Sequence, residues 1–278
     1  VLLLMLVSLQ TFATDNEYGL KDNIQDGVIL HCFDWTYAQI KEELPNIAAA
    51  GFSAVQTSPA HPREPVGAAW YMLYQPYDYK VGENGLGTKE GLTELCTEAH
   101  QYGVKIIVDV VANHTNGSLS YVASFWQDQS LYHDYQGGID YSNRWQVTHG
   151  RLGMWDLKTE NSRVQEKIKE YVAELKSCGV DGIRWDAAKH IGLPSEGDTF
   201  WQNVPDQTMY NYGEILDGTG GDDTVSEKVE VVSQTTGVQL HPVAGESSAK
   251  AMIYNLQGQR VDANYHGVVV CNGRKYVQ

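Results

Sequence analysis

The stretches VKIIVDVVANH (residues 104–114) and VDGIRWDAAKH (residues 180–190) decide the fold. A glycine that ends a helical pattern, Gly103 or Gly179, directly precedes each stretch, and a short apolar run then passes directly into charged and amide side chains. Continuous apolar runs of this length are typical of parallel strands that are buried on both faces. Both stretches therefore predict buried strands that end in functional groups.

The same alternation of helices and apolar strands continues towards the amino terminus. Apolar runs over residues 27–31 and 52–57 predict two further strands. Helical spacing predicts helices over residues 37–50, 89–102 and 161–178, each stopped by a glycine. This order indicates a parallel sheet covered on both faces, and a doubly wound sheet or a (β/α) barrel would both fit.

The positions of the polar residues favour the barrel. They follow the strand ends in three groups: Asp109 with Asn113 and His114, Arg184 with Asp186, and Glu214. Chemistry collects at the carboxyl ends of the strands in a (β/α) barrel, and no glycine-rich phosphate loop follows the first strand. We predict an α/β fold: an incomplete TIM-type barrel over residues 26–217, with a Tyr/Trp-rich subdomain inserted after strand 3, at about residues 115–156.

Composition excludes some classes of partner. The chain has 278 residues with 42% hydrophobic side chains, which is ordinary for a globular protein. Its 35 acidic residues against 20 basic ones give a net charge of −15. So negative a surface repels phosphate backbones, so we expect no nucleic-acid partner.

The cysteines and the first residues indicate the compartment. Cys32, Cys96, Cys178 and Cys271 form no CxxC pair, and most lie in apolar segments, so we predict buried side chains and no structural zinc. Residues 1–13 (VLLLMLVSLQTFA) are apolar, uncharged and too short to span a bilayer. They fit the end of a signal peptide, which predicts export to the medium or cell surface; a buried first strand is the alternative.

Several motifs in the same order carry a family resemblance. They are DVVANH (residues 109–114), GIRWDAAKH (182–190), YGEIL (212–216), WYMLYQPYDY (70–79) and LGTKEGL (86–92). Over about residues 27–217 the chain resembles the retaining α-amylase family of glycoside hydrolases, most closely its bacterial saccharifying type. The resemblance implies internal hydrolysis of α-1,4-glucosidic bonds in starch and maltooligosaccharides.

Hydrolysis with retention needs two carboxyl groups about 5–5.5 Å apart, one a nucleophile and one a proton donor. Asp186 is the predicted nucleophile, because Arg184 two residues earlier shares its strand face and should lower its pKa. Glu214 is the predicted acid/base, since the apolar residues after it should raise its pKa. From the residues alone, a structural ion pair and a solvated loop residue are the alternatives.

The resemblance implies further roles. Tyr74 is expected to stack on the reacting sugar with Tyr71 and Gln75 beside it, while His114, Lys189 and His190 donate to sugar hydroxyls and Asp109 orients the site. It also implies a Ca²⁺ ion held by the side chains of Asn113 and Asp156 and by carbonyls near Thr148 and of His190. Oxygen donors of this kind suit a hard cation. Simple packing of Tyr74, a core role for His114 and an N-cap role for Asp156 are the alternatives.

The match to the family's motifs ends after Glu214. The family's fourth signature, a His-Asp pair, has no match there, and His133-Asp134 in the insertion is the sole such pair in the chain. The third catalytic carboxylate and strands six to eight are therefore expected to be absent. An inactive glucan-binding or vestigial protein is the alternative function, and self-association through exposed sheet edges is expected.

The remaining chain differs in composition. Residues 218–250 are rich in Gly, Thr, Ser and Asp and predict a linker, whereas residues 251–278 alternate as short strands around an Asn272-Gly273 turn. This β tail resembles the carboxyl-terminal modules of secreted Bacteroidetes-type proteins, which implies sorting or surface attachment. A small β tail without a targeting role is the alternative.

Overall fold

Five parallel strands form one sheet whose order follows the chain. A computed structural model describes residues 17–63, 69–135 and 137–215, together with the backbone of four more strands between residues 253 and 277. The parallel strands are β1 Ile29–Cys32, β2 Ala54–Thr57, β3 Lys105–Val111, β4 Gly182–Asp186 and β5 Tyr210–Gly213, in the order β1-β2-β3-β4-β5. A doubly wound sheet would reverse its order at a switch point. The sequential order confirms the barrel-type arrangement.

The helices between the strands begin at side-chain caps. They are α1 Tyr37–Ala49, α2 Lys89–Gln101, α3 Arg144–His149, α4 Ser162–Ser177 and α5 Phe200–Asn203. At α1, Thr36 and Gln39 form a reciprocal capping box. At α4, Asn161 accepts a hydrogen bond from the backbone N–H of Arg163 and is therefore the cap rather than the first helical residue. Gly179, with φ of 94°, lets the chain leave α4 for β4.

Strand register places the functional side chains at one end of the sheet. Asp109 of β3 pairs with Arg184 of β4, which in turn pairs with Tyr212 of β5. Trp185, between Arg184 and Asp186 on β4, is fully buried. Its ring packs edge-on against that of Phe200, with 5.5 Å between the ring centroids. Since neighbouring residues of a strand face opposite sides, the same strand supplies both core and site.

The insertion after β3 is held over the end of that strand. Isolated bridges join His114 to Asp156 and Tyr132 to Leu157. In the preceding loop after β2, the buried hydroxyl of Tyr79 lies 2.8 and 2.9 Å from the carbonyl oxygens of Val111 and His114 and shares its proton between them. The bridges therefore hold the insertion beside the carboxyl end of β3, where the functional side chains lie.

The described cysteines are buried thiols. Cys32, Cys96 and Cys178 are free and almost fully buried, as predicted, and burial raises the pKa of Cys32 and Cys96 well above the ordinary value. The leader, the linker and the side chain of Cys271 lie outside the described residues. In the part of the chain that the structure describes, no helix is both long and apolar enough to cross a membrane.

Near the carboxyl terminus a second sheet is antiparallel. Its strands are β6 Ile253–Asn255, β7 Arg260–Val261, β8 Val268–Cys271 and β9 Arg274–Val277, in the order β7-β6-β8-β9. Cys271 pairs with Arg274, so β8 and β9 flank the predicted Asn-Gly turn. These strands lie in the segment where the alternating pattern predicts a β tail.

Candidate active site

One guanidinium joins carboxylates from three neighbouring strands. Arg184 Nη1 lies 2.8 Å from both carboxylate oxygens of Asp109 and 2.9 Å from Asp186 Oδ1. Its Nη2 lies 2.5 Å from Glu214 Oε1. The side chains of Asp109, Asp186 and Arg184 are largely withdrawn from solvent, at 0, 10 and 13% exposure. Charge-assisted contacts of this kind fix the relative positions of the carboxyl groups.

The charge balance of this cluster overturns one expectation. Arg184 was expected to lower the pKa of Asp186, but burial and the nearby carboxylates of Asp109 and Glu214 raise it. Burial also raises the pKa of Asp109, despite its two contacts with the guanidinium. Three carboxylates share one cation, so the site carries excess negative charge and favours uptake of a proton by the cluster as a unit.

Glu214 is held by a cation and by a backbone amide. One carboxylate oxygen faces Arg184, and the other accepts the backbone N–H of Ala187 at 3.1 Å. Ala187 has a φ of 49°, a left-handed conformation that residues other than glycine rarely adopt. Such local strain is typical of functional sites. Ala187 was missed, because no sequence signal marks an alanine for this conformation.

A cavity of about 290 Å³ opens beside the cluster. Six residues predicted for the site line it: Tyr74, His114, Asp186, Lys189, His190 and Glu214. Sequence reasoning missed the other lining residues, which are Tyr141, Leu152, Met154 and Ala187. Three of those belong to the insertion, and the ammonium of Lys189 lies 5.4 Å from the centre of the Tyr141 ring. One sequence signal could have indicated the three residues of the insertion: the insertion is rich in aromatic residues and directly follows a strand that ends in polar groups.

The other predicted substrate residues lie around the cavity. Asp109 and Arg184 form the cluster beside it, and the Tyr74 hydroxyl donates to Asp109 Oδ2 at 3.1 Å. Tyr71 is on the surface, 48% exposed, with its ring edge-on to Trp70. The Gln75 side-chain oxygen accepts from Asn116 at 3.0 Å. The structure thus joins Tyr74 directly to the carboxylates, whereas Tyr71 and Gln75 are not among the residues that line the cavity.

Each of the two histidines already has a backbone carbonyl as the partner of one ring nitrogen. Burial lowers the pKa of His114 to about 4, so its ring is neutral near pH 7 and has one N–H. That N–H, at Nε2, donates to the carbonyl of Tyr74 at 3.0 Å. His190, whose pKa is also lowered by burial, donates through Nδ1 to the carbonyl of Val147 at 2.8 Å. Lys189, the third residue expected to donate to sugar hydroxyls, lines the same cavity.

Two of the four residues implied in calcium binding contact each other directly. The amide of Asn113 donates to Asp156 Oδ1 at 3.0 Å, and both residues are buried. The helix that carries Thr148, α3, is joined to the turn at His190 because the ring of His190 bonds to the carbonyl of Val147. Among the described residues, no three His, Cys, Asp or Glu side chains gather as a metal site. The amide, carboxylate and carbonyl oxygens nevertheless fit a hard cation.

The surroundings of Asp156 bear on its alternative role. Its second oxygen lies 2.6 Å from His133 Nδ1, and the cap of α4 is Asn161 instead. Burial raises the pKa of Asp156 to about 6. The buried carboxylate of Asp156 therefore joins the insertion to the end of β3, and it does not cap the helix.

Comparison with known proteins agrees with this geometry. Residues 34–267 match the family described as "Alpha amylase, catalytic domain". An α-amylase of Clostridium acetobutylicum is 40% identical over 227 residues, which cover 74% of this chain and 30% of that protein. The chain thus spans less than a third of the length of this relative.

Solved structures give the same result for the fold. An α-amylase from Malbranchea cinnamomea superposes with a TM-score of 0.60 at 26% identity, covering 71% of this chain and 49% of that one. The α-amylase I of Eisenia fetida, solved with maltohexaose, superposes with a TM-score of 0.61 at 25% identity, covering 72% and 46%. Each match involves about half of the solved chain's own length.

Proposed function

Because the chain belongs to the α-amylase family, we propose that it is a retaining glycoside hydrolase acting on internal α-1,4-glucosidic bonds of starch and maltooligosaccharides. The observation that carries the proposal is the shared guanidinium. Arg184 contacts both Asp186 and Glu214, which lie at the ends of neighbouring strands and line one cavity. Glycosidic hydrolysis with retention requires two such carboxyl groups beside the bound sugar.

The two carboxyl groups take complementary roles. Asp186 attacks the anomeric carbon and forms a glycosyl ester, while Glu214 gives its proton to the departing glycosidic oxygen. Glu214 then removes a proton from water, whose oxygen attacks the anomeric carbon and releases Asp186, so the configuration is restored. One proton must therefore reside on Glu214 while Asp186 is ionised. The excess negative charge around Arg184 favours binding of one proton by the three carboxyl groups as a unit.

A neutral sugar chain suits the walls of the cavity. Tyr74 and Tyr141 supply aromatic surface, Leu152 and Met154 supply apolar surface, and Lys189 supplies a hydrogen-bond donor. Aromatic rings with polar edges match the mixed apolar and hydroxylated faces of a pyranose. The relatives named α-amylase, one of them solved with maltohexaose, support the same substrate class.

Three further properties belong to the proposal. Asn113, Asp156 and the carbonyls of Thr148 and His190 would hold Ca²⁺, which would fasten the insertion beside the active site. The apolar segment at residues 1–13 supports export to the medium or cell surface. The edges of the five-stranded sheet support self-association, with β1 and β5 as its outer strands.

Release of reducing ends from soluble starch tests the proposal. D186N and E214Q are each expected to reduce the rate at least about 1,000-fold, because each removes a group that attacks the anomeric carbon or transfers the proton (loss of such a group costs about 10⁴ or more in a well-studied case). D128N is the matched control, because Asp128 also lies 2.9 Å from an arginine, Arg163, but on the surface. The control is expected to retain full activity.

The alternative, a glucan-binding protein without turnover, predicts a different result. Amylose would then retard the unsubstituted chain in a native gel, while no reducing ends appear with calcium or with chelator. That combination would overturn the proposed hydrolysis and assign the cavity to binding alone.

A further inference from the structure

A second groove lies beside the loop that carries Tyr74 and Gln75. Its volume is about 630 Å³, and it shares no lining residue with the active-site cavity. Tyr77, three residues after Tyr74, forms part of its wall, and Tyr121 of the insertion forms another part. Nothing in the proposed reaction uses this groove.

An exposed aromatic ring dominates the groove. Tyr121 is 63% exposed, although it is a large side chain in an otherwise ordered turn. Its ring stacks on that of Tyr77 with 6.0 Å between centroids and 21° between planes. Tyr77 therefore supports one side of the Tyr121 ring, while most of the rest faces water. A supported, exposed aromatic plane suits the C–H face of a sugar ring.

The charges around the groove point to an uncharged ligand. Arg63 and Lys80 contribute two positive charges, and Asp78 and Glu83 contribute two negative ones. Lys80 and Glu83 pair at 3.0 Å, and Asp78 accepts from Trp126 at 3.0 Å. A chain with a net charge of −15 thus presents a groove without excess charge of either sign. Such a rim attracts neither phosphate nor metal ions, but it offers donors and acceptors to hydroxyl groups.

Hydrogen bonds connect the groove to the active-site loop. Gln75 accepts from the amide of Asn116 at 3.0 Å, and Asn116 accepts from the backbone N–H of Ser118 at 2.8 Å. The N–H of Tyr121 then donates to the carbonyl of Ser118 at 3.2 Å. The exposed ring and the loop of Tyr74 are therefore parts of one bonded unit. A polymer held at the groove would be retained close to the active site, which raises its effective concentration there.

We propose that the groove at Tyr77 and Tyr121 is a second binding site for an α-glucan chain, with the Tyr121 ring as its stacking surface. The identity of the ligand rests on the proposed function, whereas the existence of a sugar site rests on the groove itself. The site retains long chains and takes no part in bond cleavage.

Binding of amylose to an inactive chain tests the site. In the D186N background, Y121A is expected to weaken amylose binding in affinity electrophoresis about two- to tenfold, the range of one aromatic stacking contact. Y121F keeps the ring and is expected to bind as tightly as D186N alone. Y18A is the matched control: Tyr18 also pairs with a tyrosine, Tyr102, which follows α2 and precedes β3 at the other end of the sheet.

Activity measurements separate this site from the proposed function. With Asp186 intact, Y121A is expected to reduce the rate on dilute amylose and to leave the rate on a chromogenic maltotrioside unchanged. Equal losses on both substrates, or unchanged amylose binding by Y121A in the D186N background, would overturn the second site. Absence of hydrolysis by the unsubstituted chain would overturn the proposed function alone, because the binding comparison is made without turnover.

Discussion

Replacing Arg184 with methionine should destabilise the native state more than loss of any surface ion pair. The guanidinium is 13% exposed and makes four contacts of 2.5–2.9 Å with carboxylates. Breaking a buried pair costs about 3–5 kcal/mol, because the partner is left charged and uncompensated. Three carboxylates lose their partner, but they can relieve part of the repulsion by taking up protons. We therefore expect R184M to lower the free energy of unfolding by about 3–5 kcal/mol at pH 7.5, the cost of one buried pair rather than of three.

The pH dependence makes this prediction specific. A carboxyl group whose pKa is raised in the folded state opposes folding above that pKa, and this penalty disappears as the pH falls. Burial raises the pKa of both Asp109 and Asp186, and Arg184 lowers both. Both values should therefore rise further in R184M, so the loss of stability should shrink clearly at pH 5. Urea unfolding followed by circular dichroism measures it. In the control R163M, the 2.9 Å pair with Asp128 is half exposed and should contribute at most about 1 kcal/mol. Equal losses in both variants, or an R184M loss independent of pH, would refute the reasoning.

Three other predictions follow from buried groups. D186N should raise the melting temperature at pH 8 and lose this advantage near pH 4. The reason is that the pKa of Asp186 is raised in the folded state, so its carboxyl destabilises the fold only when it is ionised. An equal gain at both pH values in differential scanning fluorimetry would contradict this prediction. A chelator should lower the melting temperature of the unsubstituted chain but not that of D156N, and equal shifts in both would argue against calcium at Asp156. Cys32 and Cys96, buried and with raised pKa, should react with iodoacetamide only after unfolding, and peptide mass spectrometry showing rapid labelling in native buffer would contradict their burial.

The sequence predicts the strand and helix pattern well, because buried strands and capped helices leave strong local signals. The helix predicted over residues 161–178 appears as Ser162–Ser177, with its cap at Asn161. The choice of a barrel followed from polar side chains after the strands, and the strand order confirms it. These features depend on residues close together in the chain.

What the sequence could not provide was the charge balance and the backbone geometry between distant segments. The spacing of Arg184 and Asp186 predicts their contact, but it does not reveal that Asp109 and Glu214 share the same guanidinium. The pKa of Asp186 therefore moves in the opposite direction to the expectation. Likewise, the N–H that Ala187 presents to Glu214 depends on a backbone conformation without a sequence signal.

The stereochemistry of the first product tests the central claim most directly. Proton magnetic resonance can follow maltooligosaccharide hydrolysis before the anomers equilibrate. If Asp186 forms a glycosyl ester and Glu214 activates water on the same face, the first product has the α configuration, and E214Q yields no product above background. A first product of β configuration would contradict a nucleophilic Asp186.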